Sequence, residues 1–436
     1  MKGLFTDDVR TMAVSVGGHA SGDVTVDYVP EAGGDAAAQG FLDVWKSVMK
    51  DETERRNAAV SEKMAASRPV LTDIKRASDC VPGMTDRLIL HSGPPCGYGD
   101  LGGGIRRAAA GAAIYEGWAA DEKEAAAMLE RGDIKLDSAD CHNASAAGCG
   151  VISPRMPVFC VEDRESGINI YAPASVYGED RVSLGSCSAV AVKNLEYAED
   201  VLVPVLRKAV LSHGYIDIFA AAREGMRSGD DCCLRTAYSS SLFRDMLLAD
   251  IASQGDAISR ELLSYLSGEE LFRELFTAAV KAMLACARFE EGCSFITSFC
   301  CSGRTAGIRI AGMSDSWLTL DLGEDTGCGD EAVCVLAGAG PAALCCAPAV
   351  LSETDMGLFD SLRIMYDFYQ ASDRFVAGLS IPYSGCDGTP LFNNFIKMCR
   401  TSCPMYMLYR RDGRPVVRDL GLSLQTAALR KFVSER

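Results

Sequence analysis

The sequence predicts an α+β protein of several domains, two mixed α/β domains with a helical subdomain inserted between them, and three observations lead there. A chain of 436 residues exceeds what one hydrophobic core ordinarily serves. Short β-favouring runs cluster in residues 151–190 and return after residue 292. Between them, residues 195–291 follow a helical pattern almost throughout. The expected divisions are an N-terminal α/β segment (1–68), an α+β domain with a glycine-rich turn (69–194), the helical subdomain (195–291) and a C-terminal α+β domain (292–436).

Each element has its own local reason. Phe41, Leu42, Val44, Trp45, Val48 and Met49 recur at helical spacing, and the charged run KDETERR continues that helix on its solvated side. PVLTDI and LILH are short apolar strands, and the second runs into a glycine-rich turn over residues 93–104. An alanine-rich helix over residues 105–120 follows, carried to solvent by DEKEAAAMLERGD. PVFCV, INIYA and VSLGSCSAVAV read as strands between charged turns. Ser267 to Glu270 form a capping box opening a helix with Leu271, Phe272, Leu275, Phe276, Val280, Met283 and Leu284 on a broad apolar face. CSFITSF, AGIRI, WLTLDL and EAVCVLAG are the later strands, with a small-residue helix near Ala342.

Composition narrows the function classes. A net charge of −16 opposes unaided binding to nucleic acid or an anionic membrane, both of which need a cationic footprint. Residues 332–351, the longest weakly charged stretch, are interrupted by Gly338, Gly340, Pro341 and Pro348, so no membrane span is expected. The N-terminus meets acidic residues and glycines before any apolar run of signal-peptide length, which places the protein in the cytoplasm. Nineteen cysteines, an odd number that includes adjacent pairs and no C-x-x-C, read as reduced thiols rather than a disulfide or zinc framework. With four histidines, no metal centre and no cofactor is expected.

Four loops carry candidate chemistry. Gly93, Gly97, Gly99, Gly102 and Gly103 precede a helix start, where converging N–H groups and Arg106 suit an anion; a tight packing turn explains the same glycines. Residues 140–155 gather His142, with a hydrogen-bonding role, and Arg155 in a turn-rich stretch. A third loop, 228–235, ends in Arg235, and helix capping by its aspartates is the alternative. The fourth pairs Asp330 with a second helix-opening turn at Gly338 and Gly340.

ERRNAAVSEKMAASRPVLTDIKRASDCVPGM, LILHSGPP, AAIYEGWA, GVISPRMPV, SGDDCCLR, AGIRIAGMSDSW, GCGDEAV, AGAGPAALCCAPAV and IPYSGCDGTP occur in one order over residues 57–390. In that succession the chain resembles the YahG/YlbE-like family and its AllG-type oxamate carbamoyltransferase subunits. The resemblance implies a multi-domain α+β fold with a helical insert, here with a shortened start. It implies a subunit of a carbamoyltransferase that converts oxalurate and phosphate to oxamate and carbamoyl phosphate in allantoin and purine nitrogen catabolism. FdrA-like and other subunits are the implied protein partners, in an oligomer. Phosphate, carbamoyl phosphate and oxamate are the implied small anions, and His142, Arg155, Arg235 and Asp330 the implied catalytic residues. All four loops are expected to meet at one cleft.

The chain departs from the family pattern at residues 141–148 and at Cys232, Cys233 and Leu234, where small residues or cysteines replace polar ones. A non-catalytic assembly subunit or diverged paralogue is therefore the first alternative, and a small-anion or nucleotide-binding protein the second.

Overall fold

The computed structural model describes residues 2–4, 11–15, 23–27, 50–290, 292–311, 317–382, 384–385, 388–401 and 403–420. The helical spacing over residues 41–49 lies outside them; the charged run beyond it forms the helix Lys50–Ala65. The fold is α+β, as expected.

The helix Glu269–Ala285 organises the molecule. Leu271, Phe272 and every residue from Glu274 to Ala285 are buried, so no face of it meets water and each must find a packing partner. Strands Pro69–Arg76, Pro157–Asp163 and Asn169–Pro173 cover part of it, helices Ile218–Arg227 and Ala237–Ser253 another part. Strand Ile296–Cys301 and the 3-10 helix Asp330–Ala337 take the remainder. The helical region thus supplies the centre of the packing: one hydrophobic cluster runs from Val60 through this helix to Leu420.

Two small sheets pack on that helix, and another adjoins the first of them through Val151–Ile152 and Asn169–Pro173. An antiparallel sheet has the order Ile216–Asp217, Pro69–Arg76, Pro157–Asp163, Asn169–Pro173. In a second, Leu88–His91 lies between the parallel Lys135–Ser138 and the antiparallel Val151–Ile152. The third is a meander of Ile296–Cys301, Thr305–Ile310 and Leu318–Asp321, in which Ser298 pairs with Arg309. A separate apolar cluster packs Ile105 and Ala108 to Ala113 of the helix Gly103–Tyr115 against Ile89, Val151 and Leu195.

Four local expectations change. The helix after the glycine turn ends at Tyr115, and DEKEAAAMLERGD forms a second helix, Glu122–Arg131, because the Asp121 side chain accepts from the Glu124 N–H and Gly132 closes it at φ +76°. VSLGSCSAVAV contains no strand: Ser188 caps a helix over Ala189–Tyr197 by accepting from the Ala191 N–H. Gly268, not Ser267, is the N-cap of the central helix, since Ser267 Oγ accepts instead from Arg244 at 3.0 Å. EAVCVLAG is the buried 3-10 helix Asp330–Ala337; a short, wholly apolar run has no periodicity to separate strand from helix. No helix among the described residues is long and apolar enough to cross a membrane. The described cysteines form no disulfide.

Candidate functional site

Positions 274, 281 and 288 are spaced seven apart, two helical turns each, so Glu274 and Lys281 share one face of the central helix and Arg288 follows just beyond its end. These three charges face the segment 139–150, which begins as a 3-10 turn, Ala139–His142. Asn143 then reverses the chain in the left-handed region (φ +51°), which asparagine tolerates. From there, successive backbone N–H groups point inward. Those of Ala146, Ala147 and Gly148 donate to Asp330 Oδ2 (3.0 Å), Glu274 (3.0 and 3.2 Å) and Glu331 Oε2 (2.7 Å). Three consecutive amides thus make an anion-binding concavity that the chain fills with its own carboxylates.

Of these, Asp330 belongs to a continuous ladder of charge. Lys281 Nζ lies 2.9 Å from Asp330 and 3.3 Å from Asp140, and all three side chains are at most 1% exposed. Arg288 and Arg309 reach the other oxygen of Asp140 at 3.2 and 3.4 Å, and Ser298 donates to the oxygen that Lys281 faces at 2.8 Å. Burial disfavours the charge on Asp140, yet Arg288, Lys281 and Arg309 outweigh it and hold the carboxyl below the usual range. Burial likewise opposes the charge on Lys281, and Asp330 and Asp140 reverse it, holding the ammonium well above its ordinary value. Glu274 has no such cation in contact. Burial, with Glu331 and Asp330 close by, pushes its carboxyl well up, toward the neutral acid, and both its oxygens face the Ala147 N–H.

Two groups beside this ladder are left with unmet capacity. Arg288, 7% exposed at its side chain, has no hydrogen-bond partner at Nε. His91, fully buried, holds Nδ1 at 2.8 Å from the Ser92 carbonyl, so that nitrogen carries the proton and Nε2 is left unpartnered. Burial pushes its imidazole down, toward the neutral form.

The family model described as the oxamate carbamoyltransferase subunit AllG matches residues 134–329. The chain is 27% identical to the Escherichia coli K12 protein named uncharacterized protein YahG over 405 residues, 89% of this chain and 84% of that one. It is 29% identical to the oxamate carbamoyltransferase subunit AllG of the same organism over 329 residues, 70% and 78% of the two chains. These matches support a YahG/AllG-like family assignment. A conserved protein of unknown function from Enterococcus faecalis V583 has the same fold, with a TM-score of 0.82 at 23% identity over 89% of this chain and 99% of that one.

In this chain the loops singled out by sequence meet through their backbones more than through their side chains. Gly93 (φ +95°) donates its N–H to Asp330 Oδ1 at 2.9 Å, and a Cβ there would stand 2.5 Å from the Ser302 nitrogen. Gly329 approaches Gly148 so closely that a Cβ would lie 2.2 Å from its carbonyl oxygen. Asp330 is therefore at the junction of the glycine turn, the 139–150 segment and the central helix. His142 is turned away, with Nδ1 2.7 Å from the Pro82 carbonyl and Nε2 3.0 Å from Asp137. Arg155 pairs with Glu199 at 3.1 Å and lies over the Tyr115 ring. Arg235 turns toward Asp230 (3.7 Å) and the Tyr238 ring, while its backbone N–H is capped by Asp231.

The helix start at Gly102 and Gly103 is occupied from within: the Gly103 N–H donates to Asp325 Oδ2 at 2.7 Å. Gly97 opens the one-turn Tyr98–Asp100 helix, and nothing lies near Gly99. Arg106 lines a cavity of about 240 Å³ with Arg107, where Glu122 and Glu130 offset the two cations. Gly338 (φ +75°) packs on Pro390, and Gly340 on Cys233 while its N–H donates to the Asp231 carbonyl, so both are close-packed turns. The residues that sequence reading passed over are Asp140, Glu274, Lys281, Arg288 and Arg309. Their signal was present: Glu274 and Lys281 interrupt an otherwise apolar helix seven residues apart.

Proposed function

We propose that this chain is a subunit of a carbamoyltransferase complex that handles small oxyanions, transferring a carbamoyl group between oxamate and phosphate together with FdrA-like subunits in allantoin-derived nitrogen catabolism. The relationship to AllG supports the reaction class, and the stretch matched to that family encloses Asp140, Glu274, Lys281, Arg288 and Arg309. In such a transfer the oxamate nitrogen bonds to the carbamoyl carbon as the carbon–oxygen bond to phosphate breaks. Phosphate leaves with the electron pair, and the nitrogen gives up one proton. The step needs positioned donors for a carboxylate and a phosphate.

The observation that carries the reading is Arg288. It is one of three cations on the single Asp140 carboxylate, and its Nε has no partner. A carboxylate or phosphate oxygen accepting from that Nε completes the guanidinium's hydrogen bonding. The assay is phosphate-dependent oxalurate cleavage by the complex co-purified with this chain. Arg288→Gln is expected to abolish turnover and the thermal stabilisation by oxamate or carbamoyl phosphate, with Arg288→Lys retaining part of the stabilisation. Stabilisation by neither anion, or an unaffected Arg288→Gln complex, would overturn the reading.

A second reading, assembly without catalysis, is favoured by the helix Leu358–Ala371. Leu358, Phe359, Leu362 and Tyr366 are 53%, 86%, 37% and 60% exposed on it. Apolar side chains at such spacing on one exposed helix suit a partner subunit.

A further inference from the structure

Cys345 and Cys346 end the short 3-10 segment Leu344–Cys346, against which the helix Leu358–Ala371 packs. Adjacent side chains commonly diverge, yet here the two Sγ atoms stand 3.7 Å apart. The thioether of Met365, from the packed helix, comes within 3.5 Å of Cys345 Sγ. All three residues are half-buried, within reach of solvent. Cys346 Sγ also lies 3.1 Å from the Pro382 carbonyl.

We propose that Cys345, Cys346 and Met365 form a three-sulfur site for a soft monovalent cation of the Cu(I) type. A metal–sulfur bond of about 2.3 Å in a trigonal plane sets its sulfurs about 4 Å apart, close to the two edges seen here. Two thiols and a thioether are soft donors that select Cu(I) over hard divalent ions. No three His, Cys, Asp or Glu side chains gather as a metal site among the described residues, so a borderline ion such as Zn²⁺ lacks the further nitrogen or thiolate ligands it takes. The sequence reading expected no metal because it weighed cysteine and histidine spacing alone; Met365 is brought in only by the fold. Binding replaces each thiol proton by a metal–sulfur bond, so one cation taken up on both cysteines releases up to two protons and involves no electron transfer.

The test is an anoxic titration of the reduced full chain with Cu(I) against a chromogenic chelator, with X-ray absorption on the loaded protein. The expected result is one tight equivalent with three sulfur neighbours. Cys346→Ser should lose it, and the volume-conserving Met365→Leu should weaken it by about tenfold or more while leaving the fold intact. Zn²⁺ should not compete. Equal uptake by the parent and Cys346→Ser overturns the site. A parent-like Met365→Leu overturns the three-sulfur geometry.

Discussion

Glu274 and Lys281 lie on one helix face and are both sealed from water, but they meet opposite conditions. Lys281 has two carboxylates in contact, so its ion pair is compensated. Removing it as Lys281→Ala would leave Asp140 and Asp330 buried against fewer cations, and a loss of about 3–5 kcal/mol in urea denaturation is expected. Glu274 accepts the Ala147 N–H, and burial pushes its carboxyl up toward the neutral acid. Glutamine reproduces that group, so Glu274→Gln should stay within about 1 kcal/mol of the parent, whereas Glu274→Ala should cost about 1–3 kcal/mol by stranding the amide, beyond any cavity. The pH dependence has a definite sign. The folded-state value is raised, so this group's contribution is complete below the ordinary carboxylate value and is lost as pH rises through the folded value. The stability of the parent relative to Glu274→Gln should therefore fall as pH rises above about 4.3. A flat difference would mean that Glu274 ionises freely.

At the scale of elements, sequence was most legible where pattern and length agreed. PVLTDI and LILH are strands because short β-favouring runs between turns have one reading, and both occur. Residues 329–338 misled because their apolar run is buried all round, which removes the alternation that distinguishes a strand. The boundary at Asp121 was missed because alanine-rich periodicity continues across it while one aspartate restarts the hydrogen bonding. That boundary is testable: Asp121→Ala removes the cap on the Glu124 N–H and should cost about 1 kcal/mol by chemical denaturation, with Asp121→Asn close to the parent. An unaffected Asp121→Ala would mean the cap contributes nothing to the second helix. For the site, sequence singled out the segment and Asp330 but not the side chains on the opposing helix. His142, Arg155 and Arg235 drew notice as polar residues in turns, and local partners at Asp137, Glu199 and Asp230 absorb them. Such partners depend on tertiary placement, which composition and spacing do not encode.

For the whole molecule, a net charge of −16 coexists with a buried ladder in which cations and carboxylates alternate. The surplus of negative charge lies elsewhere, and it limits association with anionic surfaces while leaving apolar contact open. The exposed side chains on Leu358–Ala371 are the natural place for that contact. Phe359→Asp with Leu362→Asp should leave thermal stability within about 0.5 kcal/mol of the parent, because both positions are solvent-facing. The pair should abolish co-purification of other subunits. Retained co-purification would place the assembly surface on another face.

Segment 139–150 is mostly irregular, and irregular chain ordinarily exchanges its amide hydrogens quickly. Here the N–H groups of Ala146, Ala147 and Gly148 are held by carboxylates rooted in the central helix and in Asp330–Ala337. Opening any of them strands a carboxyl group inside the apolar core, so their deuterium uptake should be as slow as that of the helix itself. Cys141 at the outer edge carries no such tether and should exchange early. A bound oxyanion would then register as slowed uptake at Cys141 and its neighbours, against a background at 146–148 already too protected to change.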